Sequence, residues 1–298
     1  MSSSLETKTA GFKLAKINDE TVKPIKPVRP VDTRPVLGAK LFAECNASIF
    51  ICASRGSGKT SVVGKIMKDC AGKDTKIVVF CANLDKDKSW IALQEHFDNN
   101  GYDFLGYTSI TDPESGDNML QVLNSEIQEL AKEERQRLAE ADSADAADSK
   151  SAVKSLMEKM FGSAGPDDDS EHKKKKRSKT RAPEYLIVFD DLSDEIKNSR
   201  EVAKLLKNGR HFAKVIISSQ YLKDLRPEAR TNIDYFILFG GLDKKTLEEI
   251  HRNAKMSADF ETFHSLYRDA TAAKYSFLYV DSRENKFRKT FALEYSIP

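Results

Sequence analysis

A short glycine-rich turn between an apolar run and an amphipathic segment contains the residue types that bind phosphate groups. The sequence there is SIFICASRGSGKTSVVGKIM, over residues 48–67. Glycine lets the backbone adopt positive φ angles and approach a ligand closely. The N–H groups of such a loop, with the positive end of the following helix dipole, form an anion site. The predicted phosphate-binding residues are Ser54, Arg55, Gly56, Ser57, Gly58, Lys59 and Thr60.

The last two residues of this loop have separate predicted roles. Lys59 is expected to reach the β- and γ-phosphates of ATP, and the hydroxyl of Thr60 is expected to bind Mg²⁺. Ala53 departs from the usual pattern, which begins with glycine. Alanine is the smallest replacement, so we expect the loop to close with a slightly different backbone. The alternative is a chance Gly/Ser turn before a helix.

A second apolar segment ends in two carboxylates. Residues 185–189 predict a buried strand, and Asp190 and Asp191 follow it directly. Ligands of open α/β sheets bind at the carboxyl ends of the strands. Asp190 is therefore expected to hold the Mg²⁺ shell together with Thr60, and Asp191 to orient or deprotonate the attacking water. The alternative is structural, because acidic and hydroxyl residues after a strand also cap the next helix.

A polar amide and several arginines surround the next predicted strand. Gln220 ends the segment KVIISSQ and is expected to hold the lytic water or to sense the γ-phosphate, although a polar residue leaving a strand needs no function. Arg210 precedes this strand, and Arg226 and Arg230 follow it. An arginine supplied by a neighbouring subunit could neutralise charge on the transferring phosphoryl group. Surface arginines are common, so the alternative for each one is an ordinary surface residue.

Alternating strands and helices must position these residues. Further strands are predicted at 75–83, 102–107, in AKVIISSQ and DYFILFG, and in a terminal hairpin joined near Glu284 and Asn285. Helices are predicted from Asn118 to about Arg137, up to about Asn208, and twice within 242–269, and Trp90, Leu93 and Phe97 have the helical spacing of a core face. The alternation predicts an α/β fold of the P-loop NTPase (RecA/FtsK-like) type, with a mostly parallel sheet covered by helices on both faces.

The 298 residues, 40% hydrophobic and 32% charged, suit one sizeable core with appendages. Residues 1–40 are rich in proline and lysine and predict an extended arm before a P-loop domain over 41–298. A charged, low-complexity insertion over about 138–183 interrupts this domain, with a short helix around 153–161. Its basic block, 173–181, is interpreted as a nuclear localisation signal, a DNA-contacting patch or a solvated loop.

Charge and cysteine usage narrow the class of protein. The formal net charge is only +2, so any surface for nucleic acid must come from local clustering. The four cysteines have neither metal-type nor CxxC spacing, which favours a reducing intracellular compartment. No apolar stretch approaches the length of a membrane span, and no signal-peptide core is present at the N-terminus. These features predict a soluble intracellular protein.

In this order, the segments ASRGSGKT, YLIVFDDL, NGRHFAKVIISSQ and LRPEARTN resemble the FtsK/HerA-type DNA-packaging ATPases of large eukaryotic DNA viruses, virophages and related mobile elements. The resemblance covers about 47–242. It implies an ATP- and Mg²⁺-dependent translocase of double-stranded DNA that forms a hexameric or pentameric ring and fills a preformed capsid through capsid or portal-vertex proteins. It also implies that Arg210 is the trans-acting arginine, with Arg230 as second choice.

The resemblance further implies a location in the host cytoplasm or nucleus, or in the virion. Lys86, Lys88 and the basic block are candidates for DNA contact without base readout. Two alternatives remain at this point. One is a P-loop DNA translocase that acts outside a capsid. The other is a nonhydrolysing DNA-binding scaffold, which the departure at Ala53 supports.

Overall fold

The computed structural model describes residues 32–133, 136 and 179–297, and those from Pro35 onward lie in one compact unit. The predicted arm up to residue 31, the helix around 153–161 and the basic block up to residue 178 lie outside the described residues. Of the predicted insertion, the structure describes residues 179–183. Arg181 pairs with Val36 in an isolated β-bridge, and the N–H of Leu37 donates to the carbonyl of Arg181 over 2.8 Å.

Nine strands form a single sheet in the described residues. They are β1 (Ser48–Cys52), β2 (Lys76–Cys81), β3 (Asp103–Tyr107), β4 (Tyr185–Asp190), β5 (Ala213–Ser219), β6 (Tyr235–Phe239), β7 (Phe277–Asp281), β8 (Lys286–Lys289) and β9 (Leu293–Glu294). Their order across the sheet is β3-β2-β4-β5-β1-β6-β7-β8-β9. The first six strands in this order are parallel, and the last three are antiparallel.

Helices connect the strands. They are α1 (Lys59–Cys70), α2 (Lys88–Asn99), α3 (119–133), α4 (Ser193–Asn198), α5 (Arg200–Asn208), α6 (Pro227–Arg230), α7 (Lys244–Asn253) and α8 (Phe260–Ala270). The helix predicted up to Asn208 is two helices, α4 and α5. The chain breaks at Ser199, whose extended backbone ends the first helix and precedes the second.

The central strands are apolar without alternation because both faces of the sheet are covered. In β1, Ile49 and Ile51 pack with the apolar side chains of α1 and α2. Phe50 and Cys52 point to the opposite face and pack with residues of α3, α5, α7 and α8. The layer architecture predicted from the sequence is therefore confirmed.

The strand order determines which loops meet. Strand β5 lies between β1 and β4, and the registers of Cys52 with Ser219 and of Asp190 with Ser218 place their carboxyl ends almost level. The loops that follow these three strands must therefore share one edge of the sheet. Because β7 is antiparallel and Phe277 pairs with Phe239, the residues just before β7 lie at the same edge.

Weaker sequence signals are also confirmed. The third strand, near 102–107, is β3, and the terminal hairpin is β7 and β8. The predicted helices α3, α7 and α8 are present in the described residues. Within those residues, no helix combines the length and apolar character that crossing a bilayer requires.

Candidate nucleotide-binding site

The glycine-rich loop connects β1 to α1 and has the conformation that its glycines allow. Gly56 and Gly58 have φ angles of 77° and 94°, which favour glycine strongly. The N–H of Ala53 donates to the carbonyl of Ser219 over 3.1 Å. The start of the loop is therefore hydrogen-bonded to the end of β5, although alanine replaces the usual first glycine. No side chain caps the N-terminus of α1. An anionic ligand can therefore supply acceptors for the first N–H groups of this helix.

Two carboxylates hold the lysine of this loop. Lys59 Nζ lies 3.2 Å from Asp190 Oδ1 and donates to Asp191 Oδ1. Burial lowers the pKa of Lys59, but the two carboxylates outweigh it, so its pKa lies above the usual value. The cluster holds one cation and two anions. A triphosphate that entered here would need a further cation, since its own charges add to the excess of negative charge.

Asp190 is placed to ligate such a cation. Its side chain is 2% exposed, and Oδ2 accepts a hydrogen bond of 3.0 Å from Nε1 of Trp90. Its other oxygen, Oδ1, is buried and accepts no hydrogen bond from the described residues. Thr60, whose side chain carries a hydroxyl, lines the adjoining cleft. Carboxylate and hydroxyl oxygens together with substrate phosphates suit Mg²⁺, so the residues present fit this ion.

The sequence predicted a core role for Trp90 and missed its contact with Asp190. The side chain is indeed buried, at 1% exposure. The available signal was chemical, because a buried indole N–H needs a hydrogen-bond acceptor. Only the packing of α2 against the sheet identifies that acceptor as the carboxylate at the end of β4.

Asp191 begins the turn after β4 in an unusual conformation. Its φ angle is 55°, in the left-handed region that aspartate tolerates better than most residues. The carboxylate faces the cleft and is 44% exposed. The capping alternative is not supported, because the N-cap of α4 is Leu192 and no side chain caps this helix.

The predicted residues converge on one cleft of about 710 Å³. Gln220 lines it directly after β5. Ser54 and Ser57 belong to the same loop but not to the cleft wall, and Ser57 Oγ is buried with no hydrogen-bond partner in the described residues. The lining residues are Arg55, Gly56, Gly58, Lys59, Thr60, Ser61, Asn83, Asp87, Ser89, Asp191, Ser193, Gln220 and Tyr275.

Part of this wall was not anticipated. Asn83, Asp87 and Ser89 come from the connection between β2 and α2, where Asp87 caps the helix by accepting from the N–H of Ser89 over 2.7 Å. The exposed Lys86 and Lys88 lie in the same connection. Ser193 links the cleft to β5 through a 3.0 Å contact between its Oγ and that of Ser219. Short polar side chains in loops give little sequence signal of a site.

The structure does not bring Arg210 to the cleft of its own chain. Arg210 is exposed and lies before β5, at the opposite edge of the sheet from Gln220. Strand β5 has seven residues, and at about 3.3 Å per residue it separates these edges by about 20 Å. An arginine side chain cannot span that distance, so Arg210 could reach only the site of another copy.

Arg230 is engaged elsewhere. Its guanidinium donates to Glu249 Oε1 over 2.6 Å and to the carbonyl of Leu225 over 2.8 Å. These bonds tie α6 to α7 and to the preceding loop. Arg230 does not line the cleft.

Comparisons with known proteins add family evidence to this geometry. Residues 167–286 match the family described as "Poxvirus A32 protein". The matched segment includes Asp190, Asp191, Arg210 and Gln220 and lies after the glycine-rich loop. Over this segment the chain is similar to the Poxvirus A32 proteins. The viral relationship that the motifs predicted is thereby confirmed.

Two curated relatives are also viral. "Uncharacterized protein 075L" of Invertebrate iridescent virus 6 is 32% identical over 104 residues, which is 34% of this chain and 40% of the relative. "Uncharacterized protein 015R" of Frog virus 3 (isolate Goorha) is 46% identical over 57 residues, 18% of each chain. The chain thus spans well under two thirds of the length of these relatives.

Among solved structures, the chain is similar to the genome packaging NTPase B204 of Sulfolobus turreted icosahedral virus 2 in complex with AMP. That match has 12% identity and a TM-score of 0.47 and covers 86% of this chain and all of B204. EssC (ATPases 2 and 3) from Geobacillus thermodenitrificans has 11% identity and a TM-score of 0.41, with coverage of 68% of this chain and 34% of EssC.

Proposed function

We propose that this protein is an ATPase that moves double-stranded DNA into a preformed viral capsid. The observation that carries the hydrolytic part is that Lys59, Asp191 and Gln220, from three neighbouring strands, line one cleft, with the buried Asp190 beside Lys59. These are the groups that phosphoryl transfer requires, namely a phosphate-binding cation, a metal-binding carboxylate, a second carboxylate and a polar group for water.

The chemistry follows from what each side chain can do. The loop N–H groups and Lys59 bind the phosphates, and Lys59 exchanges its carboxylate partners for phosphate oxygens when ATP enters. Thr60 and Asp190 hold Mg²⁺, which neutralises charge on the phosphates when bound. Asp191, freed from Lys59, orients the attacking water and accepts its proton. Gln220, which follows the strand between β1 and β4, holds the same water.

A ring of copies would complete the site. Arg210 is too far from its own cleft, and a neighbouring copy could bring this exposed arginine to the γ-phosphate, where it would neutralise developing charge. A hexamer or pentamer with a central channel would give DNA a repeated set of basic contacts. Lys86 and Lys88 lie beside the cleft, where hydrolysis could move them, and such contacts bind phosphates without reading sequence.

The packaging part of the proposal is supported by the motif resemblance to viral packaging ATPases and by the similarity of residues 167–286 to the Poxvirus A32 proteins. It implies capsid or portal-vertex proteins as partners and a location in the host cell or in the virion. The alternatives are a DNA translocase that acts outside a capsid and a DNA-binding scaffold without turnover.

Phosphate release from ATP by the purified protein, with and without linear double-stranded DNA, tests the motor. We expect turnover that needs Mg²⁺, rises with DNA and vanishes in Lys59→Ala. Lys65→Ala is the matched control, because this lysine lies on the same helix and pairs only with Asp69 in the described residues. Turnover that persists in Lys59→Ala would remove the cleft from this function, and no turnover with intact ATP binding would favour the scaffold.

A second measurement separates packaging from translocation elsewhere. A packaging protein should sediment together with assembled empty capsids, whereas a translocase that acts outside a capsid should stay in the supernatant. DNA stimulation alone does not distinguish these two functions.

A further inference from the structure

An exposed tyrosine lies against the phosphate-binding loop in a strained backbone conformation. Tyr275 is 58% exposed, although it is a large aromatic residue. Its φ angle is 66°, in the left-handed region that bulky side chains rarely adopt. Neither the hydrolytic chemistry nor the core of the protein uses this residue. Such strain is concentrated at ligand sites, where surrounding structure holds a residue in place for a purpose.

The ring is packed on the loop itself. A Cβ atom built on Gly58 would lie 3.2 Å from Cδ1 of Tyr275, which is closer than ordinary contact. Two features therefore require glycine at position 58, namely its positive φ angle and the close approach of this ring. Lys274 Nζ lies 4.8 Å from the centroid of the same ring. The tyrosine is thus fixed beside the residue that precedes Lys59.

The sheet places this tyrosine at the end of the cleft opposite to the catalytic carboxylates. Strands β5 and β4, which carry Gln220 and Asp191, lie on one side of β1. Strands β6 and β7 lie on its other side, and Tyr275 comes two residues before Phe277, the first residue of β7. Both groups line the same cleft. A linear triphosphate with its terminal phosphate at Asp191 would therefore extend its nucleoside toward Tyr275.

We infer that Tyr275 forms a stacking surface for the purine base of the bound nucleotide. The inference rests on the proposed nucleotide-binding function and adds a subsite to it. The cleft, about 710 Å³, lies within the range of about 300–1,000 Å³ that small-molecule sites have. An aromatic ring offers its π-face to any base and does not read the polar edge of that base. Tyr275 therefore strengthens binding of ATP and GTP alike.

Binding of three Mg²⁺ complexes, those of ATP, GTP and inorganic tripolyphosphate, tests this by calorimetry with the full chain. Tyr275→Asn removes the ring and keeps a residue type that tolerates positive φ. We expect it to weaken the affinity for ATP and for GTP by about tenfold each and to leave the affinity for tripolyphosphate unchanged. Tyr275→Phe keeps the ring and should bind all three like the wild type.

Tyr221→Ala is the matched control. Tyr221 is also exposed, at 47%, and has Lys223 Nζ 4.7 Å from its ring centroid, but it does not line the cleft. Its removal should leave all three affinities unchanged. If Tyr275→Asn weakened the affinity for tripolyphosphate as much as that for ATP, or left the affinity for ATP unchanged, the stacking role alone would be overturned. A wild type that binds tripolyphosphate and ATP with the same affinity would overturn it too, and one that binds neither would overturn the nucleotide site itself.

Discussion

The indole N–H of Trp90, on α2, donates to Asp190 Oδ2, at the end of β4, over 3.0 Å in a buried environment. This bond occupies Oδ2 and leaves Oδ1 as the oxygen that lies 3.2 Å from Lys59 Nζ. One helix therefore determines the orientation of the carboxylate that we propose as the Mg²⁺ ligand. Groups that orient a metal ligand commonly contribute strongly to metal affinity.

Replacing Trp90 by phenylalanine should weaken the response to Mg²⁺. Trp90→Phe keeps an aromatic ring but leaves Asp190 Oδ2 without its donor, at a cost of about 1–3 kcal/mol in folding stability. The Mg²⁺ concentration for half-maximal ATPase activity should rise by about 10- to 100-fold. Thermal shifts on adding Mg²⁺ with ADP should weaken in parallel.

The control for this variant is Phe97→Leu. Phe97 is buried on the same helix, and its ring packs against those of Tyr102 and Phe104. It should lower the melting temperature without changing the Mg²⁺ dependence. An unchanged Mg²⁺ dependence in Trp90→Phe would limit Trp90 to packing.

Asp191→Asn should separate binding from turnover. Asparagine also tolerates the left-handed conformation observed at this position, with φ of 55°. Loss of the anion leaves Lys59 with one carboxylate partner, Asp190, and lessens repulsion of phosphates, so ATP should bind at least as tightly. Turnover should fall by about 100-fold or more, since no carboxylate then accepts a proton from water.

Asp194→Asn serves as its control, because this exposed acid on α4 does not line the cleft. Equilibrium binding and single-turnover phosphate release measure the two effects. Normal turnover in Asp191→Asn would assign the catalytic carboxylate elsewhere.

Mixing Arg210→Ala subunits with wild type should inhibit ATPase activity more than in proportion to their fraction. The reason is that each Arg210 would serve the cleft of a neighbouring copy, so one variant subunit impairs a site made of wild-type residues. The measurement is phosphate release across a series of mixing ratios after reassembly. A linear decline would argue against a shared site. The control is Lys207→Ala, which removes a basic side chain from the last turn of α5 and should show no such inhibition.

The buried Lys214 should lower the free energy of unfolding at pH values below the usual pKa of lysine. Burial lowers the pKa of Lys214, because the charged form is disfavoured, although its Nζ donates to the carbonyl of Glu44 over 2.8 Å. Between the lowered pKa and about 10.5, the unfolded chain binds more protons than the folded one, so stability rises with pH. Lys214→Met should stabilise the protein by about 1 kcal/mol or more at neutral pH.

That gain should shrink as the pH approaches 10.5, the usual value for lysine. Chemical denaturation of the two proteins over a pH series measures it. A loss of stability in Lys214→Met at all pH values would mean that the bond to Glu44 outweighs the burial of charge.

Local sequence patterns were sufficient to predict several strands of this protein and the chemical groups of its candidate site. Apolar runs without alternation predicted β1 and β4 because strands covered on both faces have no polar side. The glycines of the loop and the residue types Lys59, Asp190 and Asp191 were recognisable because phosphate and Mg²⁺ binding demand specific chemical groups. The break at Ser199 was not predicted, because the polar run 197–201 contains neither the glycine nor the proline that usually marks a helix end.

Relationships between distant segments were decided only by the tertiary structure. Strand order separates Arg210 from the cleft of its own chain and places Tyr275 at the cleft end opposite to Asp191. Packing of α2 brings the indole of Trp90 to Asp190, and the ion pair with Glu249 holds Arg230 away from the site. The sequence by itself determined which chemical groups are present and which local elements carry them. It could not determine which groups meet, because contacts across a sheet depend on strand order and packing rather than on spacing along the chain.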